Sequence, residues 1–208
     1  MFLLHRPTKS EIERFRAAQS AASFSYREVG ASRGLPAATA PAGYWLAHNR
    51  IRLGEGEETF ARAVAAVRAW RMFALGWIEI HPPAAPIAPE TTVVIVAHHY
   101  GCWSLHAARI VYLVEDEGPL ARFGFAYGTL EDHAESGEER FSVVWDRAQG
   151  AVWYDLLAFS RPKHWLARLG RPFARRLQKR FSRGSLRAMA AACETETIIG
   201  DRRSPAPP

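Results

Sequence analysis

The chain has 208 residues, of which 48% are hydrophobic and 23% are charged, and its formal net charge is +6 at pH 7. These proportions are typical of folded soluble proteins and exclude a wholly disordered or fibrous chain. The length corresponds to one domain of ordinary size, with or without a short accessory segment.

The sequence contains neither a membrane-spanning nor a secretory segment, and it has few cysteines. No apolar run approaches the roughly 18 to 20 residues that a membrane-spanning helix needs, and the short apolar start lacks the features of a secretory signal. The two cysteines, Cys102 and Cys193, can form at most one bridge. We therefore predict a cytoplasmic protein with two free thiols.

The first 43 residues are predicted to be an accessory segment, with a helix over 10–21 and a surface loop over 31–43. Ser10 and Glu13 have the spacing of a capping box at the start of this helix. The alternation after Gly43 predicts a strand over 43–53, and the pattern of 59–73 predicts an amphipathic helix. Four prolines between 81 and 89 predict a linker.

Beyond the linker the pattern changes to consecutive antiparallel strands, predicted at 92–100, 103–115, 121–130, 138–147 and 150–160. Apolar residues at steps of three and four then predict a long helix over 163–192, followed by a flexible tail over 193–208. Only this terminal helix is long enough to cover a meander of strands. The predicted fold class is α+β, with a curved antiparallel β-sheet wrapped around the C-terminal helix. Sheet and helix together form one predicted helix-grip domain over 44–192. This is the helix-grip order of lipid-transfer and polyketide-cyclase-like domains, which commonly leave a cavity between sheet and helix.

Several short blocks appear in an order that resembles a known family. They are WRMFALGW (70–77), RIVY (109–112), GFAYGTL (124–130), GEERF (137–141) and AFSRP (158–162). Over residues 24–189 the chain resembles the bacterial and plant family catalogued as domain of unknown function nineteen-ninety. The resemblance implies a helix-grip, START-like layout, and it brings no established reaction with it.

Polar side chains on the predicted sheet are the candidate ligand-binding residues. Residues two apart in a strand share a face, so Tyr127 and Thr129 point together, as do Glu138 and Arg140. We expect one of Glu138 and Glu139 to approach Arg109 and Tyr127, and alternation alone leaves open which of them faces the cavity. The other interpretation is a structural ion pair at the rim of the sheet. The full candidate set is Arg109, Tyr112, Tyr127, Thr129, Glu138, Glu139, Arg140 and Ser160.

Metal and cofactor sites are not predicted. His98, Cys102 and His106 step by four, which suits a helix, whereas the surrounding pattern indicates strands that place His98 and His99 on opposite faces. A glycine-rich loop that cradles phosphate is also missing from the sequence, as are the common motifs of catalytic nucleophiles.

Charge is concentrated in one segment, because residues 161–187 contain ten Lys or Arg and no Asp or Glu. This basic helix is either a solvated face, paired in part with the acidic stretch 131–139, or a surface for nucleic acid or an anionic membrane.

Three functions follow from these features. The first is binding of a small apolar or amphipathic molecule in the cavity. The second is an enzyme in the same cavity, with Glu138 or Glu139 as the general base and Tyr127 as the proton donor, which requires a raised carboxyl pKa. The third is an interaction protein that uses its basic helix.

Overall fold

One antiparallel sheet of eight strands forms the framework of the molecule. The computed structural model describes residues 1–35, 39–162 and 171–194. The strands are β1 (Phe2–Leu3), β2 (Trp45–Glu55), β3 (Ile78–His81), β4 (Thr92–His99), β5 (Cys102–Asp116), β6 (Leu120–Thr129), β7 (Glu135–Asp146) and β8 (Ala151–Pro162). Their order across the sheet is β2-β8-β7-β6-β5-β4-β3, and β1 pairs with β5.

Among the described residues, three α-helices accompany the sheet: α1 (Lys9–Gln19), α2 (Gly56–Arg68) and α3 (Arg171–Cys193). Helices α2 and α3 pack on the face that we call the inner face, and the N-terminal segment (residues 1–35 and 39–43) packs on the opposite, outer face. The predicted fold class is therefore confirmed: an antiparallel sheet holds a long C-terminal helix in the helix-grip arrangement. None of the helices among the described residues is long and apolar enough to span a membrane.

The main core lies between the inner face and the two helices. Phe125, Phe141 and Tyr154 of the sheet are fully or almost fully buried there, together with Val67 of α2 and Met189 of α3. Strand alternation produces this core, because residues two apart along β6, β7 and β8 all reach the inner face.

The outer face is covered as well. Ile12 and Phe15 of α1 pack with Val94, Val96 and Leu105 of the sheet. Because both faces are buried, β4 is apolar over five consecutive residues, 93–97, instead of alternating with polar ones.

Several predicted boundaries differ from the structure. The capping box at the start of α1 uses Thr8 and Glu11, so the prediction of Ser10 and Glu13 is wrong. Both pairs have the same three-residue spacing, which the sequence pattern does not distinguish. The predicted helix over 59–73 instead ends at Arg68, because Trp70 adopts a left-handed conformation with φ 54° before a 3-10 turn at Arg71–Phe73.

Two further differences concern the ends of elements. Strand β3 was not predicted; it contributes only four residues and ends at His81, inside the predicted linker. Helix α3 extends to the buried Cys193, one residue past its predicted end. Its predicted start over 163–170, like the predicted tail beyond 194, lies outside the described residues.

Candidate functional site

A cavity of about 230 Å³ lies between the inner face of the sheet and α3. Its walls are largely apolar: Phe73 and Trp77 line it from the segment before β3, Ile95 from β4, and Leu177 and Phe181 from α3. The ring of Phe181 packs 5.2 Å from that of Phe73, measured between centroids, so aromatic contact joins α3 to the 3-10 turn. These contacts form the apolar part of a wall that also contains polar side chains from the sheet and from α3.

The sheet separates the eight predicted residues into two groups of four. Tyr127, Thr129, Glu139 and Ser160 line the cavity. The other four interact with the N-terminal segment on the outer face; they are Arg109, Tyr112, Glu138 and Arg140. Thr129 does both, because its Oγ1 lies 2.6 Å from Ser25 Oγ of that segment.

Tyr127 and Glu139 form the central polar pair of the cavity. They are direct partners in the pairing of β6 with β7, and the Tyr127 hydroxyl donates a hydrogen bond of 2.8 Å to Glu139 Oε2. Glu139 keeps some accessible surface because it borders the cavity, but the surrounding protein screens it from bulk water. Burial, with a smaller contribution from the nearby Glu135, raises the pKa of Glu139 to about 7 against the opposing effect of the Tyr127 hydrogen bond.

Glu135 is a second carboxyl group on the same face of β7. Gln178 of α3 donates to its two oxygens at 2.7 and 2.6 Å and to Ser160 Oγ at 3.2 Å. Burial raises the pKa of Glu135, and the bonds from Gln178 and Ser160 oppose the increase. This network connects α3 to β7 and β8 beside the cavity.

Histidines occupy another part of the cavity wall. His106 Nε2 lies 3.0 Å from Ser104 Oγ, whereas its buried Nδ1 has no hydrogen-bond partner among the described residues. Burial lowers the pKa of His106 well below its ordinary value. The backbone N–H of Glu135 donates to His133 Nδ1 at 3.0 Å, and the His133 ring lies 4.8 Å from that of His106. Burial therefore keeps His106 neutral beside the cavity.

The four outer-face residues hold the N-terminal segment. Glu138 is 2% exposed and accepts hydrogen bonds from Tyr26 Oη at 2.7 Å, from the backbone N–H of Gly30 at 2.7 Å and from that of Ser32 at 3.0 Å. The Ser32 hydroxyl contacts both Glu138 and Tyr112. Glu138 also borders the cavity, but its carboxylate is enclosed by these outer-face contacts, so the carboxyl group that faces the cavity is that of Glu139.

Two arginines complete this attachment. Arg109 donates to the carbonyls of Gln19, Ser20 and Ala22 just after α1, and Arg140 donates to those of Ser32 and Leu35. The expectation that Arg109 approaches Tyr127 is therefore wrong. Arg109 pairs in register with Gly128, one residue beyond Tyr127, and adjacent residues in a strand point to opposite faces.

Sequence analysis missed Glu135, Gln178 and His133 as residues of the cavity. Glu135 had a usable signal, because it lies four residues before Glu139 in the same strand and shares its face. Gln178 is an uncharged polar residue among the cations of α3. His133 lies between β6 and β7, where strand periodicity makes no prediction.

A metal site does not emerge from the described part of the chain, where no three His, Cys, Asp or Glu side chains come together. His98 stacks on Trp103 at 4.4 Å between ring centroids, and His99 lines the cavity on the opposite face.

The described cations of α3 form no ion pair with Glu135, Glu138 or Glu139 of the acidic stretch. Glu138 is enclosed by the N-terminal segment, Glu139 borders the cavity, and Glu135 bonds the amide of Gln178. The guanidinium groups of Arg175 and Arg180 instead lie over the rings of Trp45 and Trp77, at 4.3 and 4.4 Å from the ring centroids.

Comparison with known proteins relates the chain to one family. The family described as Domain of unknown function (DUF1990) matches residues 25–188. A UPF0548 protein of Deinococcus radiodurans is 38% identical over 205 residues, which cover 93% of this chain and 100% of the relative. A UPF0548 protein of Dictyostelium discoideum is 42% identical over 151 residues, covering 69% and 70%. The relatives are thus not confined to bacteria.

Two solved structures are distantly similar to this chain. Ara h 8.0201 has a TM-score of 0.46 and 15% identity, covering 73% of this chain and 98% of that one. Human STARD10 has a TM-score of 0.38 and 9% identity, covering 88% and 81%.

Proposed function

The chain belongs to the family described as Domain of unknown function (DUF1990), and we propose that it binds one small apolar or amphipathic molecule in the cavity between the sheet and α3. The resemblance found in the sequence is confirmed by this membership, which does not itself specify a ligand. The proposal therefore rests on the chain's own side chains.

The observation that carries the proposal is the Tyr127–Glu139 pair, which lies in a cavity whose wall also includes the aromatic rings of Phe73, Trp77 and Phe181. A polar pair in apolar surroundings stabilises a bound molecule that offers it a hydrogen bond and fills the rest of the space with apolar atoms. The cavity of about 230 Å³ is smaller than the roughly 300–1,000 Å³ typical of drug-sized sites, which favours a small ligand.

The polar head of the ligand should not be an anion. Lys and Arg do not occur among the described residues that line the cavity, whereas the carboxyl groups of Glu135 and Glu139 do, so this wall disfavours a carboxylate or phosphate head. Near pH 7 the Glu139 carboxyl group exists in both protonation states and can either donate to or accept from a hydroxyl or amide group. Phe73, Trp77 and Phe181 would contact the apolar body.

Native mass spectrometry of the protein, purified gently from its own cells, tests the proposal. We expect a discrete added mass that disappears on denaturation. Ala158→Leu places extra atoms into the cavity wall and should abolish the added mass, whereas Ala148→Leu, in the exposed turn before β8, should retain it. A bare wild-type protein, or an added mass retained by a folded Ala158→Leu variant, would contradict ligand binding in this cavity.

A second candidate is an enzyme that uses the same pair, and the observation in its favour is the Glu139 pKa of about 7. A carboxyl group with this pKa is suited to act as a general base near neutral pH, and the Tyr127 hydroxyl is placed to donate a proton. Incubation of the recovered ligand with the protein distinguishes the two functions. An enzyme converts the ligand into a different compound, which is detected by mass and by chromatographic retention because an isomerisation leaves the mass unchanged. Glu139→Gln slows that conversion by roughly 10²- to 10⁴-fold while binding persists. A binding protein returns the ligand unchanged.

A further inference from the structure

A basic groove runs along the solvent-exposed side of α3, beside the cavity. Five cations of α3 line it, and all five are exposed: Arg176, Lys179, Arg180, Arg183 and Arg187. Their spacing places them along one side of the helix. No Asp or Glu occurs in the sequence of α3 or among the described residues that line the groove, so the groove presents positive charge to its surroundings.

Aromatic residues form the opposite wall of the groove. Tyr100 lies at the tip of the turn between β4 and β5 and is 66% exposed. Trp77 lies beneath Arg180, whose guanidinium carbon is 4.4 Å from the ring centroid. Cations beside exposed amphipathic aromatics match the composition of surfaces that bind anionic membranes, where the aromatic rings sit at the level of the headgroups.

The groove and the cavity share a wall, because Trp77 and Leu177 line both of them. A nucleic acid would gain nothing from an adjoining apolar cavity. A bilayer, in contrast, concentrates small apolar molecules close to its surface, so docking would bring the cavity next to a store of such molecules. The shared wall therefore favours a membrane over a nucleic acid.

We propose that the basic groove of α3, with Tyr100 at its edge, docks on membranes that carry anionic phospholipids. The cations contact the headgroups, and Tyr100 enters the interface. The docking surface lies outside the cavity and needs no bound ligand; only the choice of a membrane over a nucleic acid draws on the proposed function.

Vesicle co-sedimentation of the full chain tests this proposal. We expect binding to vesicles of phosphatidylcholine mixed with phosphatidylglycerol but not to phosphatidylcholine alone, with affinity falling as salt rises. In the double variant Lys179→Gln/Arg183→Gln the partition coefficient should fall roughly 25-fold, since each cation near an anionic surface contributes about fivefold.

The control removes the same charge elsewhere. Arg14→Gln/Arg27→Gln changes two exposed arginines of the N-terminal segment and should bind vesicles almost as the wild type does. An equal loss in this control would show attraction by net charge alone and overturn the docking site. Absence of vesicle binding, or binding of duplex RNA that depends on Lys179 and Arg183 without any vesicle binding, would also overturn it.

Cavity binding and docking give separate results. Ala158→Leu should lose the cavity ligand and still sediment with anionic vesicles, whereas Lys179→Gln/Arg183→Gln should retain the added mass and lose sedimentation. Failure of one proposal is therefore distinguishable from failure of the other.

Discussion

Adjacent in β7, Glu138 and Glu139 point to opposite faces of the sheet, and their surroundings differ accordingly. Backbone N–H groups and hydroxyls of the N-terminal segment solvate Glu138. Glu139 has the Tyr127 hydroxyl and a largely apolar cavity. The two glutamates thus have different roles: Glu138 attaches the N-terminal segment, and Glu139 forms part of the proposed site.

Glu139 should make stability depend on pH. Its pKa is raised from 4.5 to about 7, so the folded state holds the proton more tightly than the unfolded state. The resulting stabilisation is fully present below about pH 4.5 and is lost as pH rises to about 7, with an upper limit on the order of 3 kcal/mol. Urea unfolding at several pH values should show a flatter profile for Glu139→Gln than for the wild type. Parallel profiles would contradict the shift.

Glu138→Ala should destabilise the fold strongly. The substitution leaves buried donors on Tyr26, Gly30 and Ser32 without their acceptor, and each unsatisfied donor costs about 1–3 kcal/mol. We expect a loss of unfolding free energy on the order of 3 kcal/mol in urea titrations. Glu115→Ala, at an exposed position of β5, is the control and should change stability by less than about 0.5 kcal/mol. Equal values for the two variants would refute the role assigned to Glu138.

At the scale of elements, the N-terminal segment packs on the outer face over one small residue of β6, Gly128. Gly124, Ala126 and Gly128 alternate with the buried Phe125 and Tyr127. A Cβ atom at position 128 would lie 2.1 Å from Tyr26 Oη, so only glycine leaves room for this hydroxyl to reach Glu138. The family block GFAYG therefore combines aromatic core residues with space for the segment above.

Gly128→Ala should loosen the N-terminal segment. The added methyl group displaces Tyr26, which releases one bond to Glu138 and the edge-to-face contact with Phe159 at 5.8 Å. Limited proteolysis should cut the segment before residue 44 faster than in the wild type. Gly34→Ala, where a Cβ would meet nothing within 4 Å, should leave the cleavage rate unchanged. An unaltered rate in Gly128→Ala would show that Tyr26 does not hold the segment.

The whole molecule depends on pairing between distant parts of the chain. Strand β2 forms its ladder with β8, from Trp45 opposite Ser160 to Glu55 opposite Ala151. Both β2 and β8 also contact α3. The sheet and its core therefore cannot be completed until the last strand and the helix are present.

Truncation tests this dependence. A chain that ends at Gln149 lacks β8 and α3, so β2 has no partner and the inner face has lost part of its cover; we expect no cooperative thermal transition by circular dichroism. A chain that ends at Glu194 retains every described element and should unfold cooperatively. A cooperative transition in the shorter chain would show that β3 to β7 form an independent unit.

The sequence by itself determined the order and type of most elements, because apolar spacing of two or of three to four reports directly which face of a segment is buried. It also revealed the family. Because strand alternation is local geometry, the sequence predicted that Tyr127 shares a strand face with Thr129, and Glu138 with Arg140. Strand β3 was not predictable, because four residues are too few to show a period.

Only the tertiary structure decided which face of the sheet holds the cavity. Both faces are buried around β6 and β7, so polarity does not mark an outside for either strand. Glu135 and Gln178 form hydrogen bonds although they are 43 residues apart. Arg109 donates to backbone carbonyls at the end of α1, about 90 residues earlier in the chain. Such contacts arise from packing between elements. The periodicity of a single segment does not predict them, because it reports only which face of that segment is buried.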